Sequence, residues 1–156
     1  MTKDKTSLVR KAHDFAFKAH YGQKDDAGEW YFQAHVLPVY NIIKEVTHDP
    51  DILAAAFLHD TIENCNVSYN DIASEFNVRI ADLVLELTHE GPEKGKKWFP
   101  NLHTRDAILI KFADRLQNLS RMGGWTPERQ AAYLKKSKFW KSSKDDDWML
   151  NMVGKL

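Results

Sequence analysis

Residues 54 to 64 read AAAFLHDTIEN. The run from Ile52 through Leu58 is apolar on every side, which predicts a helix buried all round rather than one with a single inward stripe. It delivers a histidine and an aspartate, His59 and Asp60, with no basic neighbour in sequence. An uncompensated carboxylate in a core is costly, so another part of the chain, or something bound to it, must balance the charge.

Working outward, Asp49 and Pro50 supply an N-cap and a first-turn proline, so this helix is expected to start there and to end near Asn64. Upstream, Leu8, Ala12, Phe15, Ala16 and Ala19 recur at helical spacing and predict a helix from about Thr6 to His20, closed by Gly22. The polar turn GQKDDAGEW follows. The segment FQAHVLPVYNIIKEV then places Leu37, Tyr40, Ile43 and Val46 on one side, with Pro38 in its first turn and His35 near its start.

Downstream, Ser68 caps a short helix, and Ile80, Leu83, Val84 and Leu87 mark another. Residues 91 to 101, GPEKGKKWFPN, read as a loop. HTRDAILIKFADRLQNLSRM is helical, with Ile108, Phe112, Leu116 and Leu119 expected to face inward. Thr126 and Pro127 open a helix through Leu134, and KDDDWMLNMV is expected to form a last one. No alternating strand pattern competes. The fold expected over residues 1–156 is a single all-α domain, a compact bundle of roughly eight helices.

Composition narrows the function. Lys plus Arg and Asp plus Glu number 22 each, so no global field draws in nucleic acid or an anionic membrane, and a small solute is the natural partner. The N-terminal MTKDKTSLVRK is polar where a signal peptide needs an apolar stretch, and no apolar run is long enough to span a bilayer, so the cytoplasm is the expected location. The one cysteine, Cys65, reads as a buried or incidental thiol rather than a nucleophile.

Two helices carry the chemistry. Glu63 falls one turn beyond His59 and Asp60, and Asn64 one turn beyond Asp60, so one rim offers two ligand types and a nearby carboxylate. Lys111, Asp114, Arg115 and Asn118 fall at steps of three and four, opposite the apolar face of Ile108, Phe112 and Leu116. If that face packs toward His59 and Asp60, Asp114 completes with His35 a nitrogen and oxygen shell suited to manganese, iron or zinc. Lys111 and Arg115 could hold a substrate phosphate or form a salt bridge supporting Asp114. The lysines at 94, 96, 97, 135, 136, 138, 141 and 144 read as a solvated basic face, and Trp98, Phe99, Trp125, Phe139 and Trp140 as packing residues.

The motifs AFKAHYGQ, AGEWYFQAH, AAFLHDTIEN and IKFADRLQNL, in that order, resemble the HD-domain metal-dependent phosphohydrolases. The resemblance is to the (p)ppGpp hydrolase branch related to RelA and SpoT and to the small alarmone hydrolases, and it covers about Leu8 to Leu119, with further helices expected over 126–156. It implies that His35, His59, Asp60 and Asp114 bind one divalent ion, usually Mn2+, with Fe2+ or Zn2+ as alternatives. Glu63 matches the acidic residue acting on the catalytic water, Asn118 matches an asparagine contacting substrate, and His20 falls in the HxGQ turn. The implied reaction removes the 3′-pyrophosphate of guanosine tetra- or pentaphosphate.

Three departures stand out. Asn64 replaces the family's second acidic residue, leaving it either a helix end or a group beside the catalytic carboxylate. Asp25 and Asp26 replace a basic residue expected after GQ, and the spacing from Gly28 to His35 is one residue longer than the resemblance implies. Another nucleotide substrate, or a metal-containing nucleotide sensor without turnover, therefore stands beside alarmone hydrolysis as an alternative.

Overall fold

The computed structural model describes residues 2–88, 102–121 and 124–136. Helix α1 spans Thr2–Ala19, and a π-helical turn covers Phe32–Val36 and runs straight into α2, Leu37–Lys44. Then follow α3 (Pro50–Leu58), α4 (Thr61–Asn64), α5 (Tyr69–Glu75), α6 (Val78–Leu87), α7 (Arg105–Leu119) and α8 (Pro127–Lys136). Among the described residues there is no strand; a single antiparallel bridge, Lys24 with Trp30, closes the turn after α1. The loop read at 91–101 and the last helix read in KDDDWMLNMV lie outside the described residues.

Helix α3 is the hub, packing on α1, α2 and α6, while α7 closes over α2 and α6. Its sequence dictates this role: Ile52 and all of residues 54–58 are buried. Starts are set by side chains. Asp49 accepts from the Asp51 N–H, Asn77 from Ile80 and Thr104 from Ala107, and Ser68 and Asp71 cap α5 reciprocally. Each such cap contributes about 1 kcal/mol.

Three expectations are corrected. The helix through His59 is not continuous to Asn64; it ends at Leu58, and α4 restarts at Thr61, whose hydroxyl donates to the Leu58 carbonyl at 2.8 Å. From the π turn through α2 the buried stripe is Val36, Val39 and Ile43, with Leu37, Tyr40 and, beyond the helix, Val46 only partly covered. On α7, residues 110–116 are all buried while Ile108 and Leu119 are half-covered, since this helix is packed on more than one side.

The π turn carries His35 and lies in the stretch whose spacing from Gly28 is unusual. Its signature is the Leu37 N–H bonded to the Phe32 carbonyl, five residues back. Pro38 follows and has no N–H to give Ala34, so the Nε2 of Gln117 donates to that carbonyl instead at 3.0 Å. Helix α7 is thereby bonded to the turn that carries His35.

Candidate metal centre

Four side chains from three places in the chain converge. His35 comes from the π turn, His59 and Asp60 from the break between α3 and α4, and Asp114 from mid-α7. Their ligand atoms all lie within 4.8 Å of one another, and all but Asp60 are buried. Asp60 adopts φ −102° and ψ 0°, the sparsely populated bridge region that ends one helix and opens the next. That kink turns its carboxylate toward the two rings.

His35 Nε2 is 2.8 Å from Asp114 Oδ1 and 3.6 Å from Asp60 Oδ2. His59 Nε2 is 3.0 Å from Asp60 Oδ2 and 3.6 Å from Asp114 Oδ1. Despite these distances, neither Nε2 has a hydrogen-bond acceptor along its N–H direction. Each nitrogen thus lies near both carboxylates, and the four atoms form one cluster. His59 Nδ1 also lies 2.7 Å from the Ala56 carbonyl, which places the proton of the neutral ring there and leaves the Nε2 lone pair for a cation. Two nitrogens and two carboxylates in this arrangement fit a divalent ion of the first transition row.

Electrostatics agree with a site that takes up positive charge. Burial alone would lower the His59 pKa, but Asp60 and Asp114 overcome it and hold the ring well above its ordinary value. Burial likewise works against both carboxylates, yet His59 beside Asp60, and Lys111 and His35 beside Asp114, keep them below the usual range. Burial, then the neighbouring Asp60 charge, drives the Tyr31 phenol far up, so its hydroxyl keeps its proton.

Chain residues 12–91 match the family model described as HD domain. The chain belongs to the HD-domain family. Among its relatives are a guanosine-3′,5′-bis(diphosphate) 3′-pyrophosphohydrolase of Vibrio cholerae, 29% identical over 142 residues, and the bifunctional (p)ppGpp synthase/hydrolase SpoT of Escherichia coli strain K12, 31% identical over 151 residues. Each alignment covers 83% of this chain but only 20% of the relative, so this HD domain spans about a fifth of the length of the curated proteins it matches. A solved structure described as a metazoan ortholog of SpoT that hydrolyzes ppGpp superposes with a TM-score of 0.70 at 28% identity, covering 84% of this chain and 82% of that one.

Around this four-residue cluster, the other expected residues divide. Lys111 is buried with its Nζ 3.2 Å from Asp114 Oδ2, and Arg115 is buried one residue further on. The polar face of α7 is thus enclosed by protein at these positions rather than presented to solvent. Glu63 is half-buried on α4, close enough that its charge adds to the rise at Tyr31, while Asn64 is exposed at the helix end. Asn118 lines a cavity of about 580 Å³ together with Tyr31, His35 and Trp125. A cavity of about 630 Å³ lies elsewhere, against Leu37, Tyr40 and Phe57, and includes none of the four ligands.

Sequence reading left several neighbours unassigned. Tyr31 donates a hydrogen bond to Asp60 Oδ2; its place four residues before His35 was the available signal. Asp25 and Glu29 pair with Arg121 at 3.1 and 3.3 Å, and Asp26 pairs with Arg129 at 2.8 Å. The arginine of that last pair lies 3.8 Å over the Trp125 ring. These pairings span most of the chain, so no local pattern announces them. His20 holds the GQ turn through its Nδ1, 2.8 Å from Gln23 Oε1. Cys65 is half-buried, its thiol pushed up to about 11 by burial.

Proposed function

We propose that this HD domain is a metal-dependent phosphohydrolase acting on a nucleotide, and specifically a guanosine 3′,5′-bis(diphosphate) 3′-pyrophosphohydrolase that releases pyrophosphate. The observation that carries the reading is the convergence of His35, His59, Asp60 and Asp114 within 4.8 Å of one another, with neither histidine Nε2 satisfied by a hydrogen bond. The names of the relatives and of the structural neighbour supply the substrate class.

In this reading those four residues hold one divalent ion, Mn2+ in the first instance with Fe2+ or Zn2+ as alternatives. Such an ion, when bound, supplies Lewis acidity toward a phosphoryl oxygen and makes water more acidic. The rest falls to the chain. Glu63 accepts a proton from the attacking water and orients it. Lys111 holds Asp114 in place, and Arg115 adds positive charge behind the reacting phosphate. Asn118 donates to the substrate from the cavity wall, and Asn64, an exposed amide at the end of α4, adds no second carboxylate beside Glu63.

The cavity wall also bears on specificity. Asp25, Asp26 and Glu29 are matched by Arg121 and Arg129, so the acidic turn does not present bare negative charge to a polyphosphate. Trp125 lines the same cavity, with the Arg129 guanidinium over its ring. Among the described residues no helix is long and apolar enough to cross a membrane, which fits the cytoplasmic location proposed for a nucleotide hydrolase.

The test is to assay the purified protein, with metal content measured, against a panel of nucleotides in Mn2+. The expected result is preferential conversion of ppGpp to GDP and pyrophosphate. Strong preference for a deoxynucleotide or a dinucleotide phosphate would replace the substrate; tight nucleotide binding without product would make the protein a sensor. In the sensor case, turnover gained by Asn64→Asp would locate the defect.

A further inference from the structure

We propose that Tyr31 is a positioning residue of the metal centre, fixing the direction in which two of the four ligands present themselves to an ion. The inference rests on the reading of the four-residue cluster as a metal site and adds to it a residue outside the ligand set.

The argument is geometric. Asp60 Oδ2 is the oxygen that faces the cluster, 3.0 Å from His59 Nε2 and 3.6 Å from His35 Nε2. The Tyr31 hydroxyl donates to this same oxygen. One lone pair of Oδ2 is therefore taken by the phenol and the other is left facing the histidines, which sets the carboxylate's angle at the centre. The Tyr31 ring also lies against the His35 ring, centroids 5.1 Å apart and planes 29° apart, and touches His20 on another side at 5.1 Å. One side chain thus restrains a ligand on the π turn and a ligand at the α3–α4 break, two elements whose relative placement no local backbone hydrogen bond determines.

Tyr31 is itself well anchored. Its backbone N–H donates to the Gln23 carbonyl at 2.9 Å, and Gln23 is in turn held by His20. The π turn begins at the next residue. Tyr31 therefore stands four positions before His35, across a widened turn, with its ring stacked on the histidine and its hydroxyl on Asp60. Groups that hydrogen-bond to a metal ligand typically change affinity by about 10–100-fold when removed. Packing alone predicts no such effect from loss of a single oxygen.

The experiment is Tyr31→Phe, which keeps the ring stack and removes the donor. Mn2+ affinity is measured by calorimetry, the visible spectrum of the Co2+-loaded protein is recorded, and hydrolysis is followed against metal concentration. The expected result is Mn2+ binding weakened about 10-fold, shifted Co2+ bands, and turnover that recovers when Mn2+ is raised. A folded Tyr31→Phe protein with the affinity and Co2+ spectrum of the wild type overturns the proposal. Should that variant fail to fold, 3-fluorotyrosine at position 31 preserves the shape while strengthening the donor; unchanged affinity and spectrum there overturn it equally. Wild-type protein that takes up neither Mn2+ nor Co2+ would instead remove the metal-site reading itself, so the two failures are separable.

Discussion

Helices α3 and α7 each carry aspartates at the N-terminal end and again further along, and the two sets are treated in opposite ways. At the N-terminal ends, Asp49, Asp51 and Asp106 gather around Arg79, with contacts of 2.9 to 3.2 Å, and the guanidinium is about half exposed, at 48%. Three carboxylates share one cation there, and water screens the remainder. At the C-terminal end of α3 and the middle of α7, Asp60 and Asp114 are enclosed, with Lys111 beside Asp114 and two histidines between. Water cannot do the same work in that interior, where uncompensated charge is costly. The contrast separates a surface clasp, complete in itself, from a buried cluster that calls for a proton or a cation.

The sharpest way to break this contrast is Asp60→Ala. Loss of measurable bound metal and of phosphohydrolysis is expected, with helical content retained. Metal analysis, activity and circular dichroism on one preparation decide it; a metal-free enzyme that still hydrolyses nucleotide would end the assignment.

Chelation should come next in size. With free ion at 100 times Kd, binding stabilises the fold by about 2.7 kcal/mol, equivalent to about 5–10 °C in Tm for a chain of this size. Thermal melts before and after chelation measure it, and Arg79→Gln should leave that difference untouched.

The pH dependence carries a sign. Without an ion, His59 has a raised pKa, so its contribution to stability is complete below its unfolded value and is lost as pH rises through the folded one. Asp60 and Asp114 have lowered values, so theirs is present above the ordinary carboxylate range and lost as pH falls through the folded ones. An ion must displace the His59 proton, so affinity should climb with pH, by up to about tenfold per unit while one proton is released. Calorimetric titrations between pH 6 and 8 test this; affinity that falls as pH rises would contradict it.

The smallest effect belongs to the clasp. Arg79→Gln should cost about 1 kcal/mol in chemical denaturation, and less in high salt. Unaltered Mn2+ affinity in that variant would confirm that the two ends are independent.

Much of this was legible in the sequence because it is local. The caps at Asp49, Ser68 and Thr126 and the apolar run before His59 act within a turn or two of themselves, so helix starts and the buried hub could be read directly. His59 and Asp60, adjacent and unbalanced, advertised a site. The break between them and Thr61 was not legible, since an apolar helix can continue through such residues; tertiary packing and the Thr61 hydroxyl bond decided otherwise. The unusual spacing before His35 was visible, but its resolution as a π turn depended on Gln117, 83 positions from Ala34 in the chain.

The sequence by itself determined the helical architecture and the chemical kind of each ligand, because side-chain identity and short-range hydrogen bonding are properties of neighbouring residues. Only the tertiary structure decided that Tyr31, His35, Asp60 and Asp114 share one centre, and that Arg121 and Arg129 pair with the acidic turn. Those meetings depend on how helices pack and on which buried groups find partners, and charges brought together across the chain acquire their energies only once water between them has been excluded.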